Sequence, residues 1–367
     1  MRILIAGGGT AGHINPALSI ANIIQSKKPD ADILFIGTRR GLEKDLVPRS
    51  GYGIRYITVR GFERKLSFRT VQGILALSLG MVQAWFLLKK TKPRLVIGTG
   101  GYVSGPVLYW ASRMKIPTLL HEQNAYPGIT NRILSRHVDI CAVSFEESFT
   151  YFNKARNVVL TGNPIRKSLL AVSRQKAREA MGLDETQRLV VVMGGSGGAK
   201  SINDACTDML KQWFSPDGFR LVFAPGKRYY MDVMEAMGET PRNVDIREYI
   251  YDADIVYNAC DLMVCRSGAI TISEITAIGI PSVLVPSPNV TENHQEVNAR
   301  ALERKNACRV ILDKDMDGKN LHDAIMGILK NPSKMDEMRR NARGAGILDA
   351  DEAIYGLVEK LLGDDVG

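Results

Sequence analysis

The segment RILIAGGGTAGH at residues 2–13 places an apolar run directly before a glycine-rich turn. Residues 2–6 predict a buried β-strand, and the pattern beyond the turn predicts a helix from about Asn15. Glycines let the backbone approach a phosphate closely, and the N–H groups at the start of a helix attract anions. A strand, a glycine turn and a helix in this order are typical of the opening of a nucleotide-binding α/β unit.

The same pattern returns in the second half of the chain. RLVVVM at 188–193 is followed by the run GGSGG and by a predicted helix from about Lys200. Residues 93–101 and 261–268 each lead from an apolar strand through a helix to a second apolar strand. Continuous apolar strands are expected in a parallel sheet that is covered on both faces. We therefore predict an α/β fold of two Rossmann-like, doubly wound parallel-sheet halves.

Domain boundaries follow from the same pattern. The segment Gly162-Asn163-Pro164 suits a linker, because glycine and proline interrupt regular structure. We predict an N-terminal domain at 1–162, a second domain at 163–345 and a C-terminal helix within 346–367. The sequence leaves the placement of that helix open, and packing on the N-terminal domain is one option. A chain of 367 residues agrees with two domains of roughly 150 residues each.

Composition narrows the function classes. The formal net charge of +9 favours an anionic partner, such as nucleic acid, an anionic membrane surface or a phosphorylated ligand. Neither a zinc finger nor an RNP-type aromatic motif is present in the sequence, which argues against nucleic acid. The five cysteines are odd in number and lack C-x-x-C spacing, which argues against a disulfide framework and a zinc site.

One apolar segment has two interpretations. Residues 70–88 carry no charge and have nearly the length of a membrane span, yet they lie inside the first α/β half, just before a strand. A helix hydrophobic on all sides is usually core, so an ordinary buried helix is one interpretation. The other is a helix at a membrane surface, with basic residues meeting anionic headgroups. Its candidate docking residues are Leu75, Leu79, Trp85, Phe86, Lys89 and Lys90, with Arg64, Lys65 and Arg69 nearby.

Several side chains are candidates for chemistry. His13 follows the first glycine turn, where an imidazole is suited to act as a general base or to contact phosphate, although it could simply cap its helix. Glu274 lies one turn into the helix after Ser267-Gly268, and a carboxylate accepts hydrogen bonds from both ribose hydroxyls. The alternative for Glu274 is a solvent-facing helical position. Residues 121–124, HEQN, end a predicted strand, where polar groups line the crevice of an open α/β sheet.

Taken together, these motifs resemble the MurG family of bacterial N-acetylglucosaminyltransferases. The match runs through both halves in the family's order and covers nearly the whole chain. The resembling segments are GGTAGH at 8–13, TGGYVSGP at 99–106, HEQN at 121–124, GNPIR at 162–166, GGSGGA at 194–199, CRSGA at 265–269 through Glu274, and HQ at 294–295.

The resemblance implies a GT-B fold, in which two Rossmann-like domains face a cleft, and an inverting transferase without a metal or other cofactor. The donor would be UDP-GlcNAc, and the acceptor would be the C4 hydroxyl of MurNAc-pentapeptide on undecaprenyl pyrophosphate (lipid I to lipid II). The enzyme would work at the cytoplasmic face of the bacterial cell membrane, on an anionic inner-leaflet surface.

The resemblance also implies residue roles. The N-terminal domain would dock on the membrane and bind the acceptor, and the second domain would bind the donor. The implied catalytic residues are His13, Tyr102 and Asn124, with the acceptor diphosphate on Gly9, Thr10, Ala11 and Gly12. The implied donor-binding residues are Arg166, Ser196, Ile250, Ser267, Gly268, Ala269, Thr271, Glu274, His294 and Gln295.

Three alternatives stay open. Another GT-B transferase acting on a lipid, of the diacylglycerol type, would share the fold. A UDP-GlcNAc epimerase would also have two similar halves. The first turn satisfies G-x-G-x-x-G, and Arg39-Arg40 follow the second strand, where an NADP-dependent oxidoreductase binds the extra phosphate.

Overall fold

The computed structural model describes residues 1–61, 68–195, 197–215 and 218–363, and it describes the side chains of these residues except at 68–71. The chain divides into two compact units. The N-terminal unit contains Met1–Pro164 together with the C-terminal segment from Asp349, and the C-terminal unit is Ile165–Leu348.

The N-terminal unit is built on a parallel sheet whose described strands number seven, in the order β3-β2-β1-β4-β5-β6-β7. Its central strand β1 has Ile5 opposite Phe35 on one side and Ile97 on the other. These three side chains lie in one buried cluster, and the adjacent Leu4, Ile36 and Val96 lie in a second, as expected for a sheet covered on both faces. The strands are β1 Arg2–Gly7, β2 Asp32–Gly37, β3 Gly53–Tyr56, β4 Leu95–Gly100, β5 Thr118–Glu122, β6 Ile140–Val143 and β7 Val158–Leu160.

The helices of this unit cover the sheet. They are α1 Ala11–Lys27, α2 Glu43–Arg49, α3 Phe68–Thr91, α4 Ser104–Arg113, α5 Ile129–Leu134 and, at the end of the chain, α15 Ala350–Leu362, with a 3-10 helix at Glu146–Tyr151. The first helix begins at Ala11, earlier than the predicted Asn15, because Thr10 already supplies the extended N-cap backbone.

The C-terminal helix packs on α1. Ile354 and Val358 of α15 are buried in the same cluster as Ile20 and Ile24 of α1. An ion pair between Lys27 Nζ and Glu352 Oε2, at 3.2 Å, lies at the edge of this contact. The last helix of the chain is therefore part of the core of the first unit, on the face of the N-terminal sheet that α1 covers.

The C-terminal unit repeats the architecture. The described strands of its parallel sheet number six and have the order β10-β9-β8-β11-β12-β13. The strands are β8 Leu189–Met193, β9 Arg220–Ala224, β10 Val244–Ile246, β11 Leu262–Cys265, β12 Ser282–Leu284 and β13 Cys308–Val310. The helices are α6 Ser168–Ala171, α7 Arg174–Ala180, α8 Lys200–Gln212, α9 Tyr230–Met237, α10 Ala253–Ala259, α11 Ala269–Ile278, α12 His294–Arg304, α13 Gly318–Leu329 and α14 Pro332–Ala345, with 3-10 helices at Thr291–Asn293 and Asp313–Asp315.

Each sheet has a point where the strand order reverses, between β1 and β4 in the first unit and between β8 and β11 in the second. In open α/β sheets, ligands bind in the crevice outside the carboxyl ends of the strands at such a point. The prediction of two doubly wound parallel-sheet halves is confirmed, and the topology marks one candidate crevice in each unit.

Candidate functional site

The crevice of the N-terminal unit brings together segments that follow β1, β4 and β5. Gly100, the last residue of β4, and Gly101 after it have φ values of 107° and 76°, which favour glycine. A Cβ on Gly100 would lie 2.7 Å from Nδ1 of His13, and one on Gly101 would overlap the carbonyl oxygen of Gly8. The β4 loop therefore crosses directly over the first glycine turn, and side chains larger than hydrogen cannot be accommodated there.

His13 lies in the first turn of α1 and is half-buried. Its ring Nδ1 is 3.0 Å from Oε1 of Gln123, which follows β5. Its main-chain oxygen accepts a hydrogen bond from Oγ1 of Thr99, at 2.8 Å. The first contact ties the imidazole to the segment after β5, and the second ties the main chain of His13 to β4, so the position of His13 is set by the sheet as well as by its own helix.

A residue that sequence reasoning did not single out, Glu43, lies behind the glycine turn. Its fully buried carboxylate accepts hydrogen bonds from the Gly9 N–H at 3.0 Å and from the N–H and hydroxyl of Thr38, both at 2.8 Å. The Gly9 amide is thus directed at Glu43. An anion at this turn would instead meet the N–H groups of Ala11 and Gly12, which lie at the very start of α1 and have no intrahelical acceptors. The signal in the sequence is a single glutamate at the start of α2, which is too common to be informative.

Glu122 organises the segment that carries Asn124. Its buried carboxylate accepts from the main-chain N–H of Asn124 at 2.9 Å and from Nδ2 of Asn124 at 3.2 Å. It also accepts from Nδ2 of Asn131, at 2.8 Å, and from the Gly128 N–H, at 3.2 Å. The amide of Asn124 is therefore held with its nitrogen towards Glu122. Tyr102, after β4, is 42% exposed, so its ring is accessible at the same edge of the sheet.

In the C-terminal unit, the predicted ribose ligand Glu274 is not solvent-facing. Its side chain is nearly buried, and Oε1 accepts a hydrogen bond from Nε of Arg166, at 2.9 Å, across 108 residues of sequence. Burial raises the pKa of the Glu274 carboxyl, and the charge of Arg166 opposes that rise. A buried carboxylate with one paired oxygen is a strong acceptor for a ligand hydroxyl.

The helix start after β11 has the geometry expected of an anion site. Gly268 is the extended N-cap, with φ −63° and ψ 143°, and α11 begins at Ala269, so the first N–H groups, through Thr271, lack intrahelical acceptors. The side chain of Ser267 has a partner within the unit. It is fully buried, and its hydroxyl donates to the main-chain oxygen of Gln295 at 2.8 Å. Its side chain thus joins the start of α11 to α12, and the main-chain N–H groups of the turn are the ones proposed to meet a phosphate.

The polar pair at the start of α12 is held in a fixed orientation. Oε1 of Gln295 accepts from the Ser287 N–H at 2.9 Å, which leaves the NH₂ group of that amide to donate to a ligand. Nδ1 of His294 is 2.8 Å from the carbonyl oxygen of Thr291 and carries the proton there, because a carbonyl only accepts. An amide donor held in a fixed orientation suits a sugar that carries several hydroxyls.

The two remaining donor candidates are Ile250 and Ser196. Ile250 follows β10 and is buried, whereas its neighbours Tyr249 and Tyr251 are exposed, with ring centroids 5.0 Å apart. Ser196 lies outside the described residues.

The helix α3 is two-sided. Its buried face is made of small residues and one leucine, and Gly80 packs so closely that a Cβ would lie 2.6 Å from the carbonyl oxygen of Thr58. Phe86, at 61%, is typical of the apolar side chains exposed on the other face. Trp85 is half-buried, with Nζ of Lys89 4.4 Å from its ring centroid, and Lys90 is exposed beyond it. The exposed apolar residues are Ile74, Leu75, Leu79, Val82 and Phe86.

By length and composition alone, Gln72–Thr91 also meets the criteria for a membrane span. However, its small-residue face packs against α4 and the loop after β3 within the N-terminal unit. A helix with one face on protein and one apolar face exposed has the pattern of an interfacial helix.

Comparison with known proteins identifies relatives along the whole chain. A family model described as the glycosyltransferase family 28 N-terminal domain matches residues 3–143, and one described as the glycosyltransferase family 28 C-terminal domain matches residues 189–354. A protein of Acetivibrio thermocellus is 51% identical, over 99% of this chain and 98% of its own length. One of Caldanaerobacter subterraneus subsp. tengcongensis is 50% identical, over 98% of this chain and 100% of its own length.

Both relatives are named UDP-N-acetylglucosamine–N-acetylmuramyl-(pentapeptide) pyrophosphoryl-undecaprenol N-acetylglucosamine transferase. Among solved structures, the crystal structure of Acinetobacter baumannii MurG matches with a TM-score of 0.80 and 28% sequence identity, over 98% of this chain and 99% of that chain.

Proposed function

The chain belongs to glycosyltransferase family 28, and we propose that it transfers N-acetylglucosamine from UDP-GlcNAc to the C4 hydroxyl of MurNAc-pentapeptide on undecaprenyl pyrophosphate. The observation that carries this proposal is the similarity to relatives named for that transfer, at 51% identity over 99% of the chain. The resemblance to the MurG family and the GT-B class predicted from the sequence are confirmed by the family models and by the MurG structure.

In the proposed reaction, the C-terminal unit holds the donor. The N–H groups at the start of α11 bind the diphosphate, and the positive end of the helix dipole stabilises the charge that develops on UDP as it leaves. Arg166 lies beside Glu274, so a guanidinium is available near the nucleotide. Glu274 accepts from the ribose hydroxyls, and the fixed amide of Gln295, with His294 beside it, binds the GlcNAc hydroxyls.

The N-terminal unit holds the acceptor in this proposal. The first turn of α1 binds the lipid pyrophosphate, and His13 removes the proton from the C4 hydroxyl as its oxygen bonds to the anomeric carbon. The bond between that carbon and the β-phosphate oxygen breaks, so UDP leaves and the configuration inverts. Asn124 and Tyr102 lie at the same sheet edge as His13, where they orient the acceptor sugar.

The direct test is transfer of labelled GlcNAc from UDP-GlcNAc to a soluble lipid I analogue, with diacylglycerol offered in the same mixture. We expect the label in the lipid I product only. Label in diacylglycerol, or conversion of UDP-GlcNAc without any acceptor, would instead support the lipid glycosyltransferase or epimerase alternative. Thermal stabilisation by NADPH but not by UDP would support the oxidoreductase.

We expect Glu274→Gln to raise the KM for UDP-GlcNAc by roughly 10- to 100-fold while changing kcat little. The substitution removes the charge from a buried acceptor that also holds Arg166, and charge-assisted hydrogen bonds contribute about 1.5–3 kcal/mol. Initial rates at varied UDP-GlcNAc measure the effect. Glu235→Gln makes the same charge change on exposed α9 and should leave KM unaltered. An unchanged KM in Glu274→Gln would rule out the ribose contact.

We further propose that the exposed apolar face of α3, with Lys89 and Lys90, docks on an anionic membrane surface. The double variant Leu79→Glu/Phe86→Glu should lower binding to phosphatidylglycerol vesicles at least about tenfold, because each buried apolar side chain contributes roughly 1.5–3 kcal/mol. Vesicle sedimentation measures this. Met231→Glu is the control, since Met231 is also an exposed apolar side chain but lies on α9. Equal loss of binding in both variants would contradict the assignment to α3.

A further inference from the structure

A line of hydrogen bonds runs behind the proposed base. The carbonyl oxygen of Gly162 is 3.1 Å from Nε2 of His121, and Nδ1 of His121 is 3.0 Å from Nε2 of Gln123. Oε1 of Gln123 is in turn 3.0 Å from Nδ1 of His13. The line thus starts on the main chain, passes through two buried side chains and ends on the imidazole that lines the crevice.

The direction of the first bonds is fixed by the carbonyl group. A carbonyl oxygen only accepts, so Nε2 of His121 must carry a proton for Gly162. His121 is fully buried, and burial lowers its pKa to about 4. The ring is therefore neutral near pH 7 and has a single N–H, so Nδ1 carries a lone pair.

The orientation of the Gln123 amide follows from two acceptors on the same side. Nε2 of Gln123 is 3.0 Å from Nδ1 of His121 and 3.1 Å from the main-chain oxygen of His121. The reverse orientation would place Oε1 against both acceptors. Gln123 is only 1% exposed, so water cannot satisfy these groups, and each unsatisfied group would cost about 1–3 kcal/mol. The NH₂ group thus faces His121, and Oε1 faces His13.

We propose that Gln123, oriented by His121, is a positioning residue that fixes the tautomer of His13, with the proton on Nδ1 and the lone pair on Nε2. Oε1 of Gln123 only accepts, so Nδ1 of His13 must donate to it. This inference rests on the proposed function, in which His13 is the base.

The fixed tautomer suits proton removal from the acceptor. In the step described above, the proton of the C4 hydroxyl moves to the Nε2 lone pair, and the resulting imidazolium keeps its Nδ1–H on Gln123. Gln123 stays neutral throughout and neither gains nor loses a proton. A tautomer with the proton on Nε2 would present a donor to the hydroxyl and could not accept its proton.

Nitrogen-15 NMR of protein labelled at its histidines reads the tautomer without substrate. The chain has five histidines, so single His→Gln variants assign each ring. In the wild-type protein near pH 7, we expect a protonated Nδ1 and an unprotonated Nε2 at His13, and the reverse at His121. A wild-type spectrum with the proton on Nε2 of His13 overturns the proposal, whatever happens to any variant.

Gln123→Met tests the link to catalysis, because it keeps side-chain length and removes the acceptor. We expect the two His13 tautomers to mix and kcat to fall by roughly 10- to 100-fold, which is no more than the lower limit of the rate gain from a general base. The KM for UDP-GlcNAc should stay near its wild-type value. Thr118→Val is the control, since it removes a buried hydrogen bond to Asp139 at the opposite end of β5 and should change neither readout.

The outcomes separate the two proposals. An unaltered His13 tautomer or an unaltered kcat in Gln123→Met overturns the positioning role. The expected wild-type tautomer in a protein that transfers no GlcNAc to a lipid I analogue overturns the proposed function, while the hydrogen-bond line is supported on its own.

Discussion

His13→Gln should lower kcat by roughly 10²- to 10⁴-fold while leaving the KM for UDP-GlcNAc nearly unchanged, since general base catalysis contributes about this much. His13 lies in the N-terminal unit, whereas the proposed donor ligands, such as Glu274, lie in the C-terminal unit. Its loss therefore removes proton transfer without removing a donor contact. Glutamine keeps a polar group of similar reach but has no nitrogen that accepts a proton near neutral pH.

Steady-state rates with a soluble lipid I analogue, at saturating acceptor, measure the effect. His137→Gln is the matched control, because His137 is also half-buried in the N-terminal unit but packs on Tyr109 away from the glycine turn. We expect wild-type kinetics for that variant. Turnover of His13→Gln within a few-fold of wild type would exclude His13 as the base and transfer that role to another group at the same sheet edge.

Asp261→Asn should produce the largest loss of stability, about 3–5 kcal/mol in the C-terminal unit. Asp261 is fully buried directly before β11. Its carboxylate pairs with Arg174 at 2.7 Å and Arg178 at 3.1 Å, and with Arg188 and Arg339 at 3.5 and 3.7 Å. Asparagine has nearly the same shape, so the change removes the charge and leaves four guanidinium groups converging on a neutral amide.

Differential scanning calorimetry should show the effect as a decrease of roughly 10 °C in the unfolding temperature of this unit. Asp204→Asn is the control. Its pair with Lys200 is exposed on α8, and exposed pairs contribute about 0–1 kcal/mol. A shift in Asp261→Asn no larger than in Asp204→Asn would mean that the arginines are stabilised by solvent and main-chain carbonyls without the carboxylate.

The sequence predicted the parts of the site that depend on local pattern. Apolar strands followed by glycine turns indicated where the crevices lie. All strands of a parallel sheet run in the same direction, so the residues that follow them meet at one edge of the sheet. It therefore identified His13, Asn124 and Glu274 as side chains at strand ends or helix starts. The roles of these residues remain proposals.

The sequence alone was less informative where side chains have partners far along the chain. Nothing in the local sequence indicated that the hydroxyl of Ser267 is bound to the main chain of Gln295. Glu43, which holds the Gly9 amide, had no recognisable signal at all. For α3, the composition allowed either a core or an interfacial helix, and only the packing of Gly80 against Thr58 distinguishes its two faces.

The sequence by itself determined the fold class and the family, because strand periodicity, glycine turns and motif order are properties of short segments. The tertiary structure decided which atoms of those segments donate and which accept. His13 and Gln123 are 110 residues apart, and Arg166 and Glu274 are 108 apart. A hydrogen bond has a direction only once both partners are in place, so the proposed tautomer of His13 and the pairing of Glu274 with Arg166 follow from the folded chain and not from the local sequence.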